Sequence, residues 1–177
     1  EFPNLHLPLL KHLFKQKIFV LAMKFLEDKI EKFSEHHLTA MAHILQITPH
    51  TVLKMNIEKV GPILFKCIET GSDAAHPHPT RVLLSLKILN NFTLEMHDFI
   101  LTNLNKLIKI FLNLTTFKLS MEVRVMACNC LESTTKFPLF TLVPFKEEVT
   151  HELATALDDN KRLVRTAAVN ARMAWFM

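Results

Sequence analysis

An all-α chain of stacked helical hairpins, a HEAT/armadillo-like α-solenoid of about four repeats, is the fold this sequence predicts. Three observations predict it. Pro79-Thr80-Arg81, Glu122-Val123-Arg124 and Leu163-Val164-Arg165 each open a helix-like run, with arginines 43 and 41 residues apart. A recurrence near 40 residues is what paired helices leave in a sequence when they stack one repeat on the next. Apolar residues return at three- and four-residue steps nearly everywhere, as amphipathic helices require. Only Gly61 and Gly71 are glycine in 177 residues, whereas sheets and nucleotide-binding loops need glycine for bulges and close backbone approach.

Taken in order, the pattern predicts helices over 5–14 and 18–33. Ser34, with His37 three residues on, caps a third helix through Ile47, and Pro49 ends it. Asn56 is placed as N-cap of a helix whose core face is Val60, Ile63, Leu64, Cys67 and Ile68, with a kink expected at Pro62. Gly-Ser-Asp-Ala-Ala-His-Pro-His-Pro over 71–79 reads as a loop. Helices follow over 81–91 and 99–114, the second with Leu104, Leu107, Ile108 and Phe111 on one face. Ser120 caps the next, which reaches Lys136, and Phe137-Pro138 breaks the chain before a helix over 145–157. Asp159 or Asn160 caps the last, which runs through Trp175. There Val164, Ala167, Ala168, Ala171 and Trp175 form the packing stripe, with Trp175 as a large apolar plug.

Composition narrows the function. Hydrophobic residues at 49% and charged residues at 21% describe a folded chain rather than a disordered one. The net charge of +4 is dispersed, with acidic residues interrupting the basic ones, so no stripe of the kind that tracks nucleic acid is visible. Cys67, Cys128 and Cys130 all sit in apolar runs and read as buried free thiols of a reducing compartment. No run approaches the roughly 20 apolar residues of a membrane-spanning helix. The absence of an initial Met leads us to expect a piece of a longer protein, a single domain over 1–177.

Motifs of chemistry are sparse. His36-His37, His76-x-His78 and Cys128-x-Cys130 each lack the third and fourth ligands that a metal site needs. Residues two apart on a helix also diverge. Lys15, Lys17, Lys24 and Lys29 against Phe19, Phe25 and Phe33 suit a membrane-surface helix or, more simply, a solenoid helix with a solvated face. No Ser-His-Asp set, carboxylate pair or phosphate loop is present, so neither an enzyme nor a cofactor is expected. The repeat logic assigns Arg124 and Arg165 to bonds between repeats. Lys161 and Arg162 precede the apolar stripe, point outward, and are candidate partner contacts.

Asp158-Asp159-Asn160-Lys161-Arg162-Leu163-Val164-Arg165, followed by Ala168-Val169, Ala171-Arg172 and Trp175-Phe176, resembles the C-terminal motif of the MMS-nineteen (Met-eighteen) family. Phe111-Leu112-Asn113-Leu114, Ser120 to Val125 and Leu142-Val143-Pro144-Phe145-Lys146 resemble it as well, and the likeness is most specific over 111–176. The resemblance implies a C-terminal HEAT-repeat domain of a non-catalytic scaffold in the cytosolic iron–sulfur cluster assembly targeting complex, active in cytoplasm and nucleus. Implied partners are a MIP-eighteen-family subunit, which sits against a WD-repeat propeller, and apo iron–sulfur clients such as XPD helicase and DNA polymerases. Nucleotide excision repair and transcription follow from those clients. On this reading Lys161, Arg162 and Arg172 contact partners, while Arg124, Arg165, Val164, Ala168 and Trp175 pack the repeats. The alternatives are a nuclear solenoid contacting nucleic acid or a transcription factor, and a karyopherin-like cargo receptor, which would need many more repeats.

Overall fold

The computed structural model of the chain describes residues 7–26, 34–95 and 98–176, and among them every regular element is helical. The helices are α1 Leu7–Leu26, α2 Glu35–Ile47, α3 His50–Met55, α4 Ile57–Gly71, α5 Pro79–Leu94 and α6 Asp98–Thr102. They continue as α7 Leu104–Thr115, α8 Met121–Thr134, α9 Leu139–Leu142, α10 Lys146–Leu157 and α11 Arg162–Phe176. A 3-10 turn over Val143–Phe145 joins α9 to α10, started by the fixed φ of Pro144.

The helices stack in two layers. In one layer α2, α5, α8 and α11 follow each other side by side. Against them lie α1 on α2, α4 on α5, α7 on α8 and α10 on α11, and α7 also meets α10. The predicted stripes supply the contact: Val60, Ile63, Leu64, Cys67 and Ile68 of α4 are buried, as are Leu104, Leu107, Ile108 and Phe111 of α7. Each such side chain contributes roughly 1.5–3 kcal/mol when removed from water. On α11, Ala167, Ala168 and Ala171 keep the backbone close to α8 and α10, and Trp175 fills the space at the end of the stripe.

Hydrogen bonds between successive helices of the first layer repeat the spacing of the sequence. Arg81 Nη1 donates to Thr39 Oγ1, Ser133 Oγ to Asn90 Oδ1, Cys130 Sγ to the Leu86 carbonyl and Trp175 Nε1 to the Leu131 carbonyl, across 42, 43, 44 and 44 residues. Each side chain therefore reaches the equivalent turn one period earlier, the nearest-neighbour wiring of a solenoid.

Four local expectations are corrected. A single helix, α1, runs through residues 15–17, where two helices were expected to meet; Lys15, Gln16 and Lys17 are adequate helix formers and no breaker stands between them. The remainder of the second predicted helix, 27–33, lies outside the described residues. The helix predicted over 99–114 is two, parted at Asn103, whose Nδ2 donates back to the Phe99 carbonyl and competes with the backbone there. The short α3 was missed, and Asn56 behind it occupies the N-cap position of α4 with its amide turned to the Val52 carbonyl. Lys161, not Asp159 or Asn160, directly precedes α11, and its carbonyl starts the helix by accepting from Val164 and Arg165 N–H. α4 runs through Pro62 to Gly71 without interruption. Ser120 caps α8 as expected, accepting the Val123 N–H at 3.3 Å, whereas the Ser34 hydroxyl pairs with the His37 ring at 2.6 Å.

Candidate docking groove and its arginine joints

Arg81, Arg124 and Arg165 occupy the first turns of α5, α8 and α11 and bind in three different ways. Arg81 is fully buried. Its Nε donates to the Cys67 carbonyl at 3.3 Å, Nη1 to the Glu35 carbonyl at 3.1 Å and Thr39 Oγ1 at 3.4 Å, and Nη2 to Thr70 Oγ1 at 3.0 Å. A buried guanidinium is tolerable only when its donors are satisfied, and here four acceptors from α2 and α4 do so. Arg124 donates from Nη1 to the Phe117 carbonyl at 2.9 Å and from Nη2 to Asp159 Oδ1 at 3.2 Å. Its Nε lies 2.7 Å from Asp159 Oδ2 without aiming its N–H along that line, so this part of the contact is charge attraction. Arg165 Nη1 donates to the Asp159 carbonyl at 2.7 Å.

Asp159 thus gathers two joints, and it also accepts the Lys161 N–H at 2.7 Å. Burial alone would raise its pKa, but the Lys161 N–H and the Arg124 guanidinium outweigh that and hold the carboxyl below its ordinary value. The consequence is positional: Asp159 fixes the turn that presents Lys161, Arg162 and Leu163.

Of those three residues Leu163 lines a groove, and Lys161 and Arg162 precede it in the chain. Leu83 and Lys87 of α5, Met121, Glu122 and Met126 of α8, and Leu163 of α11 line an apolar cleft of about 340 Å³. Leu163 is 60% exposed, and Lys87, Lys161 and Arg162 are exposed too. None of these three cations forms an ion pair with a described carboxylate. A larger cleft between α4 and α7 differs in this respect: Lys106 is paired with Glu69 at 2.8 Å and lies 4.5 Å over the Phe65 ring. Its charge is already answered within the chain.

The other site residues named from sequence fall elsewhere. Arg172 stands ten residues beyond Arg162, about 15 Å along α11. It is half-buried, donates from Nε to the Thr150 carbonyl at 3.1 Å and lies over the Phe176 ring. Val164 and Ala168 are buried against the neighbouring helices. Trp175 is buried as well, and its indole N–H is satisfied by the Leu131 carbonyl at 2.8 Å, so it is both plug and anchor. Sequence reasoning missed Leu83, Met121 and Met126, which read as ordinary core residues. It also missed Arg81 as a joint, although its place in the 43-residue recurrence carried that signal.

Chemistry is scarce on these surfaces. All three cysteines are buried free thiols. Burial pushes Cys67 up to about 11 and Cys128 up to about 12, and raises Cys130 further. Among the described residues no group of three His, Cys, Asp or Glu is placed to hold a metal ion. His78 Nε2 instead meets Glu35 Oε2 at 2.8 Å. Among the described residues no helix is long and apolar enough to cross a membrane. In α1, Phe19 and Met23 turn inward.

Comparison with known proteins places the chain. A family model described as RNAPII transcription regulator C-terminal, MMS19_C, matches residues 9–135. The MMS19 nucleotide excision repair protein of Drosophila melanogaster is 40% identical over 179 aligned residues, which cover 100% of this chain and 18% of that protein. The Homo sapiens homolog is 32% identical over 142 residues, 80% of this chain and 13% of the relative. The Arabidopsis thaliana homolog is 28% identical over 173 residues, 94% of this chain and 15% of the relative. The chain therefore spans less than a fifth of the length of these curated relatives. The family match includes the upstream half, where the residue likeness was looser, while the 158–176 motif lies beyond it and is covered by the fly alignment. With the stacked helices already described, these matches establish that the chain belongs to the MMS19 family, within its C-terminal region.

Proposed function

We propose that this chain is a non-catalytic docking platform that serves nucleotide excision repair as part of an iron–sulfur cluster targeting scaffold. The carrying observation is the groove along α5, α8 and α11: an apolar floor with Lys87 and Glu122 beside it and the exposed Lys161 and Arg162 just ahead of Leu163 in the chain, on helices locked in place by bonded arginines. A surface of this kind offers contact and orientation rather than reaction. The family membership and the relatives' names support the repair assignment. In the finer reading the chain holds a MIP-eighteen-type subunit against its WD-repeat propeller, in cytoplasm and nucleus, so that clusters reach apoproteins such as XPD helicase and DNA polymerases.

Capture of a purified MIP-eighteen-type subunit by this chain tests the finer reading. Reversing Lys161 and Arg162 to Glu is expected to weaken capture and to leave the melting temperature nearly unchanged. No capture by a folded sample sinks that reading. The family model's description as a transcription regulator favours a second reading, contact with nucleic acid or a transcription factor. Affinity for duplex DNA falling steeply with salt, as counterion release demands, would support it, and a flat response would dispose of it.

A further inference from the structure

We propose that the outward face of α11 is a self-association surface, covered by α11 of a second copy of this chain lying antiparallel to it.

Two seams run along this helix. Val164, Ala167, Ala168, Ala171 and Trp175 form the inner one and are buried. On the opposite side Arg162, Thr166, Val169, Met173 and Phe176 recur at steps of four, three, four and three, the spacing with which one helix meets another. All five are exposed, and Val169, Met173 and Phe176 are so to 43%, 63% and 57%. In the same layer α5 lies between α2 and α8, and α8 between α5 and α11, so a helix of this layer has a neighbour on each side. α11 carries the seams of such a helix, yet among the described residues only α8 lies beside it in the layer.

Charge decides what the second neighbour is. Arg162, the first residue of α11, is the one charged member of the outer seam, and the exposed Leu163 and Asn170 beside it add none. Such a seam offers an acidic or basic partner almost nothing to pair with, but it can lie on itself without repulsion. Contacts between two copies of one chain are also the more apolar class of interface. The exposed apolar face of α1 lacks this property. Lys17 and Lys24 are exposed there among Leu13, Val20 and Leu21, so a second α1 laid on it would bring lysine onto lysine.

Arg162 also sets the direction. A parallel pair would place it against its own copy. An antiparallel pair places it at the far end of the other α11, by the negative end of that helix. The first turn of α10, with the exposed Glu147 and Glu148, stands at that same end. Two bonds hold it there: Lys146 Nζ donates to the Phe176 carbonyl at 3.2 Å, and Arg172 Nε to the Thr150 carbonyl at 3.1 Å. A face of 15 residues, about 22 Å long, is a small interface. The dimer is therefore expected to be weak, with a Kd on the order of tens of micromolar.

The test is sedimentation equilibrium of the purified chain over concentrations that bracket this Kd. The mean mass is expected to rise from 20.4 kDa toward twice that value. Val169→Glu and Val169→Lys, near the middle of the seam, are each expected to weaken association about tenfold or more while the melting curve of the dilute chain stays in place. Mixed in equal amounts, the two variants are expected to associate again, because a carboxylate then meets an ammonium. Leu21→Glu on α1 is expected to change nothing. A chain that keeps the monomer mass throughout, variants that associate like the parent, or a mixture no better than either variant alone overturns the proposal. Loss of association in Leu21→Glu overturns it as well, by moving the contact to α1. Disulfide-linked dimers of Arg162→Cys under mild oxidation would overturn the antiparallel direction.

Discussion

Arg124 and Asp159, 35 residues apart, tie the start of α8 to the turn between α10 and α11. Their side chains are only 11% and 14% exposed, so the pair is well shielded from solvent. Asp159→Ala leaves a shielded guanidinium without its carboxylate and frees the Lys161 N–H. We expect a loss of about 2–3 kcal/mol by urea denaturation. Arg124→Ala on that background is expected to cost much less than it does alone, because the two act as one joint. Additive losses would show that they are energetically independent.

Acid sensitivity follows from two carboxylates whose folded pKa values are depressed. Asp159 is held down as described, and Glu35 chiefly by the hydrogen bond from His78 Nε2. A depressed carboxylate contributes in full above its unfolded value, about 4, and the contribution disappears as pH falls through the lower folded value. Urea midpoints are therefore expected to hold from about pH 6 to about pH 5 and to drop below about pH 4. Asp159→Asn is expected to flatten part of that drop, and an unchanged slope would remove Asp159 as its source.

Trp175 supports two separable effects. Trp175→Ala empties a buried site and is expected to cost about 3–5 kcal/mol. Trp175→Phe keeps an aromatic ring but abandons the bond to the Leu131 carbonyl, leaving that acceptor poorer for about 1–2 kcal/mol. A Phe variant as stable as the parent would mean that the indole N–H contributes nothing.

Gly61 lies where α4 meets α6, and a Cβ there would overlap the Phe99 ring. Alanine is the better helix former by about 1 kcal/mol, yet Gly61→Ala is expected to lower stability by about 1–3 kcal/mol through overpacking. Phe99→Leu on the same chain is expected to relieve part of the loss. A Gly61→Ala chain that melts higher than the parent would contradict the packing account.

The thiols offer a chemical check. With Cys67 and Cys128 raised by burial and Cys130 fully buried, the reactive thiolate is scarce at neutral pH. Iodoacetamide is expected to label none of the three in the native chain within a time that labels all of them in guanidinium. Rapid native labelling, read by intact mass, would point to local opening at the modified helix.

Much of this architecture was legible because it is local. The loop over 71–79, the Ser120 cap and the buried faces of α4, α7 and α11 follow from turn residues and apolar spacing alone. What escaped depends on meetings between distant segments. Nothing near Arg81 in the chain says that Glu35, Thr39, Cys67 and Thr70 will surround it. Leu83, Met121 and Met126 have the spacing of core residues, and only stacking leaves them as a cleft floor. The break at Asn103 and the short α3 were missed because side-chain amides turn back on the backbone there, as at Asn103 and Asn56, an effect that apolar periodicity does not register. Lys161 and Arg162 were readable as outward cations, whereas the half-buried setting of Arg172 depends on α10 lying beside it.

The reach of the bonds between successive helices of the layer α2, α5, α8 and α11, one period and no further, has a consequence for how the chain comes apart. A joint such as Trp175 to Leu131 ties a helix only to its immediate neighbour, so loosening α11 releases nothing beyond α8 and α10. Unravelling then begins as fraying at a terminus and advances one hairpin at a time, with amide exchange fastest at the rims and slowest around Arg81. A partner seated on Leu163 would act as an end clip, slowing that fraying far more than its small footprint suggests.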